Sequence, residues 1–410
     1  MEGGVGAEEV ATVLIPTMNN PEQLEVVLRR LLEDLDGSYS VLVIDSSKDR
    51  RTLDLCNELG VKHLEDQSLS RADACNNGIS KVTTEFTLFT DDDVIPPHGW
   101  VGNLIRWFED EEVAGVGGPN FAPEDDPWLS KCTDVAFCAK VMTAGTRYGA
   151  RPDGRLVKVN HNPGVNVAYR TSVLREVGGF DEGAIGAEDV LLDSKITKSG
   201  YSLFLDPTNV MPHRRRPLLR PMMRQIRNYG YVRRLAIHSD PTLRSPMHLF
   251  VEAFPLVALA GMLSMAYGAI MGGANLDLWF TLDGEWSLQR ILFHGSLGLM
   301  SLYLALCVFG SALGTSPHRS LSTVLASCIS IPAAHLAYGK SINEIEGITA
   351  VIDEGPLRGT PVASSASGDL KVNNILINGY IDIPLGKKLT PYIGGGVGAS
   401  KLDIDNIIVD

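Results

Sequence analysis

The chain has 410 residues and a formal charge of −13, with 49 acidic against 36 basic side chains. That length accommodates two or three domains with a sizeable core, and the acidic balance excludes nucleic acid as the main partner. The six cysteines are scattered with no CxxC pair, and Cys132 and Cys138 lack the partners of a zinc site, so free thiols in a reducing compartment are expected. Residues 1–10 are acidic and Gly-rich, unlike a secretory signal, and read as a short N-terminal extension.

Ala11-Thr12-Val13-Leu14-Ile15 is a buried-strand pattern stopped by Pro16. Asn20 offers a helix cap and Pro21 a first helical position. Leu24, Val27, Leu28, Leu31, Leu32 and Leu35 then recur at helical spacing until Asp36-Gly37. Residues 40–44 predict a second buried strand, followed by a polar turn from Asp45 to Asp49. A short helix over 52–59 ends at Gly60, and 61–64 is a third strand. Residues 70–82 predict a helix and 86–90 a fourth strand. Strands alternating with helices predict an α/β fold, a Rossmann-like and mostly parallel sheet covered on both faces.

The fourth strand runs directly into Asp91-Asp92-Asp93, and Val94-Ile95-Pro96 follows. Three like charges at a strand end repel one another, and a hard divalent cation with oxygen ligands relieves that repulsion. Open α/β sheets bind ligands beyond the carboxyl ends of their strands. The stretch therefore predicts a metal site holding a phosphate-bearing ligand, with an acidic solvent turn as the other reading.

The order Val13-Leu14-Ile15-Pro16-Thr17, Val43-Ile44-Asp45-Ser46-Ser47 and Asp91-Asp92-Asp93 resembles the nucleotide-binding half of family 2 glycosyltransferases, which have the GT-A fold. Downstream, Asn162-Pro163-Gly164-Val165-Asn166, Arg170, Val177-Gly178-Gly179-Phe180-Asp181-Glu182, Gly186-Ala187-Glu188-Asp189 and Gly200-Tyr201 are similar to the family's acceptor side. The resemblance implies a divalent metal, Mg²⁺ or Mn²⁺, and a nucleotide diphosphate sugar. Asp93 is then the most direct metal ligand, Asp91 lies nearer the ribose or metal, and Asp92 is the middle member. Asp45 is implied to contact a uracil or guanine base, its alternative being a turn-forming Asp. Pro16, Thr17 and Asn19 line the first strand's exit beside the nucleoside. Relatives often carry an Arg immediately before the Asn matching Asn76, where this chain has Cys75; Arg71, one turn earlier, supplies a cation to the diphosphate or makes a surface ion pair. Asp189 is implied as the base and Glu188 as its orienting partner, although two acids also suit a helix start. His213 is implied to complete the metal shell or touch the diphosphate. Gln225-Ile226-Arg227-Asn228-Tyr229 only partly echoes the Gln-x-x-Arg-Trp signature of processive synthases, which argues against a polymerase.

Arg214-Arg215-Arg216, Arg220, Arg224, Arg227, Arg233 and Arg234 interleave with Leu218, Leu219, Met222, Met223, Ile226 and Tyr229. This pattern predicts a basic interfacial segment over 213–248, lying on anionic headgroups or touching a lipid phosphate. Residues 250–271 and 291–313 are long enough to cross a bilayer, and 321–338, with Pro332 inside, is a shorter third candidate. The loop 275–285 is acidic and Pro317-His318-Arg319 basic, so the positive-inside rule predicts a multi-pass plasma-membrane protein with a cytoplasmic catalytic domain over 11–212. His335-Leu336-Ala337-Tyr338-Gly339 resembles the end of the membrane region in exopolysaccharide-type members. From 364 the composition changes. Residues 374–383 and 389–398 predict two strands about a turn at 384–388, resembling one hairpin of an outer-membrane β-barrel. A single hairpin cannot close a barrel, and no role in transfer is expected of 340–410.

Together these features predict an inverting, metal-dependent, membrane-anchored glycosyltransferase with a lipid-linked or glycan acceptor, in polysaccharide or cell-envelope glycan synthesis. The alternatives are a polyprenyl-phosphate sugar synthase and a non-catalytic sugar-recognition or assembly protein. A nucleotidyltransferase is weaker still, because no Gly-rich, Lys-bearing phosphate loop follows the first strand.

Overall fold

The sheet is built outward from β1 (Ala11–Thr17), whose seven residues are all buried. The computed structural model describes residues 9–68, 70–143, 155–182, 184, 186–272, 288–343, 366–382 and 392–409. After β1 come α1 (Pro21–Glu33), β2 (Tyr39–Asp45), α2 (Arg51–Leu59), β3 (Lys62–Glu65), α3 (Arg71–Lys81) and β4 (Phe86–Phe89). These seven elements follow the expected order, with boundaries displaced by at most three residues. Alternate residues of the strands enter different cores. Val13, Ile15, Val41 and Val43 meet Leu24, Val27 and Leu28 on one face. Leu14, Leu42 and Ile44 meet Ala72, Cys75 and Ile79 on the other. Burial on both faces is why these strands are apolar at nearly every position.

Local signals close the helices. Ser70 caps α3 by accepting from the Asp73 amide at 3.1 Å, and Gly60 ends α2 in the left-handed region at φ +68°. Asn20 occupies the cap position of α1 without capping it. Its side chain donates instead to Gln23 Oε1, 3.3 Å away, and also engages Asp92.

The chain continues through α4 (Trp100–Ile105), β5 (Val113–Gly117), β6 (Asn120–Phe121), α5 (Trp128–Phe137) and α6 (Lys140–Thr143). Next are β7 (Val157–Val159), β8 (Val167–Arg170), α7 (Thr171–Glu176), α8 (Glu188–Lys198), β9 (Ser202–Leu205) and β10 (Met211–Pro212). The sheet order is β3-β2-β1-β4-β8-β5-β9-β7, with β8 antiparallel to both its neighbours and β7 antiparallel to β9. β6 and β10 form a separate parallel pair. All six cysteines are free.

The helical part begins with α9 (Arg220–Ser239). Met222, Ile226, Gly230 and Ala236 form its buried side, while Arg220, Arg224 and Arg227 are exposed at helical spacing. Two arginines of the expected interfacial stretch pair with acids around α5 instead, one at the surface and one buried. Arg214 pairs with Asp125 and Asp126, and Arg215 is buried against Asp134 at 2.8 Å. α10 (Pro246–Gly272) and α11 (Leu288–Ala312) follow, then α12 (Leu321–Leu325) and α13 (Ser327–Asn343). Three segments, Pro246–Met271, Leu288–Ala312 and Leu321–Ser341, are long and apolar enough to cross a membrane. The first two leave their apolar windows 6% buried, whereas the third is 44% buried. Ala334 and Ala337 of α13 meet Phe137, Met222 and Ile226, so part of its apolar surface is spent on protein packing. Ser316, between α11 and α12, donates to Asp134 Oδ2 at 2.7 Å and ties the helices to α5.

The chain divides into one unit ending at Gly359 and a second, Thr360–Asp410. In the second, β11 (Ala366–Asp382) and β12 (Tyr392–Val409) pair antiparallel with each other. A hairpin was expected here, and its strands are longer than the sequence predicts. The turn at 384–388 and the acidic loop at 275–285 lie outside the described residues. The likeness of this hairpin to an outer-membrane barrel gains no support from the pairing, which joins β11 and β12 to no further strand among the described residues.

Candidate active site

The carboxyl end of β4 delivers the acidic run. Thr90 pins the turn by donating to the Val165 carbonyl at 2.9 Å. Val94 then bridges antiparallel to His213, and the Ile95 amide donates to the Pro212 carbonyl at 3.0 Å. Because β10 is itself held by β6, His213 is brought beside Asp93 by backbone pairing. Its Nε2 lies 3.4 Å from Asp93 Oδ1. Asp91, Asp93 and His213 each offer a ligand atom, all within 4.8 Å of one another. Two carboxylates and an imidazole nitrogen are the donors that Mn²⁺ or Mg²⁺ accepts, so these residues fit the implied metal. Burial would raise Asp93, but His213 and then Arg216 outweigh it and hold the carboxyl below its ordinary value. His213 Nδ1 is buried with no hydrogen-bond partner among the described residues.

Asp92 points elsewhere. It accepts from Thr17 Oγ1 at 2.6 Å, and burial pushes its carboxyl up to about 6. The middle acid thus joins the exit of β4 to that of β1. Pro16 and Thr17 are buried at that exit, and Asn19 beyond them is exposed at φ +55° with its amide donating to Ser47 Oγ. Asp45 at the end of β2 accepts from the Ser47 amide at 2.9 Å and pairs with His63 at 3.0 Å. Asp45 thus forms the Asx turn that the sequence offers as the alternative to a base contact.

Arg71 opens α3 and reaches across the cleft. It donates to Asp91 Oδ1 at 2.8 Å, to Glu188 Oε1 at 3.1 Å and to the Gly164 carbonyl at 3.4 Å. Its side chain is 19% exposed, so this is not a surface ion pair. It joins the acidic run to the Glu188–Asp189 pair.

Glu188 and Asp189 form the first turn of α8, where the helix dipole favours acids. Ala187 before them has φ +54°, a left-handed conformation uncommon for a residue with a Cβ. Asp189 Oδ2 accepts from the Gly164 amide at 3.2 Å and Oδ1 from the Val190 amide at 2.8 Å. Burial would raise Asp189, but His161, Arg71 and those two amides hold it below its ordinary value. Burial pushes Glu188 up, with Arg71 pulling against it.

The sequence reading passed over His161, Asp193 and Tyr169, which stand directly behind Asp189. Asp189 and Asp193 lie four residues apart on α8, a spacing that puts both carboxylates on one face and signals a shared neighbour. That neighbour is His161, with Nδ1 2.9 Å from Asp193 Oδ2 and Nε2 3.8 Å from Asp189 Oδ2.

A mostly parallel sheet with an antiparallel insertion makes this a GT-A-like α/β domain, with an acid run at the exit of β4 and a second acid pair joined to it through Arg71. Residues 12–178 match the family model described as Glycosyl transferase family 2. A "Pre-mycofactocin glycosyltransferase" of Mycobacterium tuberculosis is 31% identical over 226 residues, covering 53% of this chain and 46% of that protein. The "Succinoglycan biosynthesis protein ExoA" of Rhizobium meliloti is 22% identical over 260 residues, covering 60% and 77% respectively. A Methanococcus voltae transferase named for a "Dolichyl N-acetyl-alpha-D-glucosaminyl phosphate" substrate is 22% identical over 242 residues, covering 55% and 73%. This chain therefore spans about half the length of the mycobacterial relative.

Proposed function

We propose that the protein is a membrane-anchored, inverting glycosyltransferase. It moves a sugar from a nucleotide diphosphate donor to a lipid-linked acceptor in polysaccharide or cell-envelope glycan synthesis. The observation that carries this reading is the continuity of Asp93–His213, Asp91, Arg71 and Glu188–Asp189 from the carboxyl end of β4 to the start of α8. Charge handling for a leaving diphosphate and a base for an acceptor hydroxyl lie at its two ends.

Asp91, Asp93 and His213 would hold a divalent cation, Mg²⁺ or Mn²⁺, which would supply charge neutralisation for the departing diphosphate. Thr17, Asp45 and the exits of β1 and β2 receive the nucleoside, with Pro16 and Asn19 beside it. Asp92 acts on the donor through Thr17. Arg71 bridges Asp91 and Glu188 and supplies a cation on the diphosphate side. Asp189 takes the proton of the acceptor hydroxyl as its oxygen attacks the anomeric carbon on the face opposite the diphosphate. The lipid-linked acceptor is supported by the three apolar helices, by the exposed Arg220–Arg224–Arg227 stripe before them and by the dolichyl substrate named for one relative. The polysaccharide setting is supported by the succinoglycan relative. The basic residues before α10 and at Arg319 favour a cytoplasmic catalytic domain at the plasma membrane.

Release of nucleoside diphosphate from UDP-, GDP- and dTDP-sugars, with membrane lipid extract as acceptor, tests the reading in detergent-purified protein. Release that requires Mn²⁺ or Mg²⁺ and is lost in Asp93→Ala is expected. No release from any donor, with intact donor binding by calorimetry, would overturn it.

A further inference from the structure

Asp189 is an awkward base. Two backbone amides, Arg71 and His161 all stabilise its ionised form, and a carboxylate so stabilised returns a captured proton readily. The groups behind it address this. Asp193, fully buried, receives three donors: the Asn162 amide at 2.7 Å, the Tyr169 hydroxyl at 2.7 Å and His161 Nδ1 at 2.9 Å. A carboxylate already accepting from an amide and a hydroxyl accepts from the imidazole as well, which assigns the proton to Nδ1. That leaves the lone pair on Nε2, facing Asp189 Oδ2 at 3.8 Å. One small side-chain rotation or one water spans that distance.

We propose that His161 is the proton partner of Asp189: Asp193 fixes its tautomer, and its Nε2 receives the proton that Asp189 takes from the acceptor. This rests on the transferase reading above. The acceptor O–H bond breaks, and its electron pair forms the bond to the anomeric carbon. The bond from that carbon to the diphosphate breaks, and its pair leaves with the diphosphate. The proton goes to Asp189 Oδ2 and on to His161 Nε2, producing an imidazolium between two carboxylates. His161 is a positioning residue, because it acts through Asp189. A satisfied core histidine would present both nitrogens to fixed partners, whereas this ring is 25% exposed and turns one nitrogen toward the base.

The arrangement has a pH signature. Asp189 and Asp193 from α8 favour the imidazolium, while burial and Arg233 from α9 oppose it, and the balance lies above the ordinary histidine value. Arg71 and Glu188 complete the charged groups around the pair. An imidazolium cannot accept a proton, so transfer falls as pH drops through the His161 midpoint.

The test is a ¹³C-histidine NMR titration of the full chain in detergent, the His161 signal identified by its loss in His161→Gln. It is paired with the pH profile of kcat. The expected midpoint is above about 6.5, and Asp189→Asn and Asp193→Asn each lower it by about one unit or more. The alkaline-rising limb of kcat follows the midpoint in the wild type and in Asp193→Asn. His161→Gln loses the limb and about 100-fold in kcat, with donor KM little changed. Should the variant at buried Asp193 misfold, Asp189→Asn, at the solvent-facing end, carries the titration. A midpoint indifferent to Asp189→Asn, or a wild-type limb retained in His161→Gln, overturns the proposal. The titration needs no turnover, so an inactive wild type would count against the transferase reading alone while the midpoints still decide whether His161 and Asp189 are coupled.

Discussion

Arg71→Met removes the cation that bridges Asp91 and Glu188. At an effective dielectric of about 20, charges about 4 Å apart attract by about 4 kcal/mol, so the two ion pairs are worth about 8 kcal/mol before desolvation. Much of that is recovered as Asp91, 33% exposed, regains water and as the arginine itself is no longer desolvated. Glu188, 13% exposed, regains little and faces Asp189 without compensation. Truncating one partner of a buried pair costs about 3–5 kcal/mol, and the exposure of Asp91 puts the expectation near the low end, about 3 kcal/mol. At about 2–4 °C per kcal/mol for a domain of this size, the midpoint of thermal unfolding should fall by about 6–12 °C. The assay is a melt of detergent-purified protein in EDTA and in Mn²⁺. Mn²⁺ should recover more of the midpoint in Arg71→Met than in the wild type, because a cation beside Asp91 replaces part of the missing charge. Arg71→Lys should be intermediate, since one ammonium cannot serve two carboxylates in the geometry of a guanidinium fork. A midpoint within 2 °C of wild type in EDTA would refute the claim that Arg71 holds the two acid pairs together.

Asp93→Ala and His213→Ala should each weaken Mn²⁺ binding by more than about 100-fold by calorimetry, beyond the roughly 10–100-fold that loss of a residue merely supporting a ligand costs. Asp189→Asn should lower kcat by about 10²–10⁴ with donor affinity intact if the acceptor is a hydroxyl; a loss of only a few-fold would favour a phosphate acceptor, which needs little help with its proton. Gly186→Ala should destabilise the α8 start, because its Cβ would sit 2.6 Å from Val232 Cγ1 of α9. Val232→Ala in the same chain should restore much of the melt, and no difference between single and double variants would exclude that contact. Asp92 titrates in the folded chain near 6 against about 3.9 unfolded. The folded state therefore binds its proton first, and this group adds stability as pH falls from 6 to 4. In EDTA, Asp92→Asn should flatten that pH dependence and raise the melting midpoint at pH 7.5.

What the sequence made legible was local. Val13, Leu14 and Ile15 announce β1 because both faces of the strand are buried and every position must be apolar. Leu24, Val27, Leu28 and Leu31 announce α1 because one helical face meets one core. What stayed hidden depended on pairing between distant segments. β8 lies antiparallel between β4 and β5, and four residues of mixed pattern carry no mark of that position. His213 is implied for the metal shell by resemblance, but the Val94 bridge that brings it to Asp93, between residues far apart in the chain, leaves no mark in the sequence. The acid motif showed that Asp91, Asp92 and Asp93 sit together but not that they divide, with Asp92 turned to Thr17 and Asp91 to Arg71.

The basic stretch before the helices divides in the same way. Composition treats Arg214, Arg215 and Arg220 alike. The first two are consumed by Asp125, Asp126 and Asp134, while Arg220, Arg224 and Arg227 keep an exposed face of α9. The other side of that helix brings Val232 against Gly186, next to the α8 acids, and Ala334 and Ala337 of α13 against Met222 and Ile226. One helix thus presents arginines outward, packs on an apolar segment and touches the loop that positions Asp189. A displacement of α9 relative to the apolar helices would reach the Glu188–Asp189 turn through Val232. Under the proposed function, α9 therefore links the apolar helices to the turn that carries Asp189, which is why the Gly186–Val232 contact carries weight out of proportion to its size.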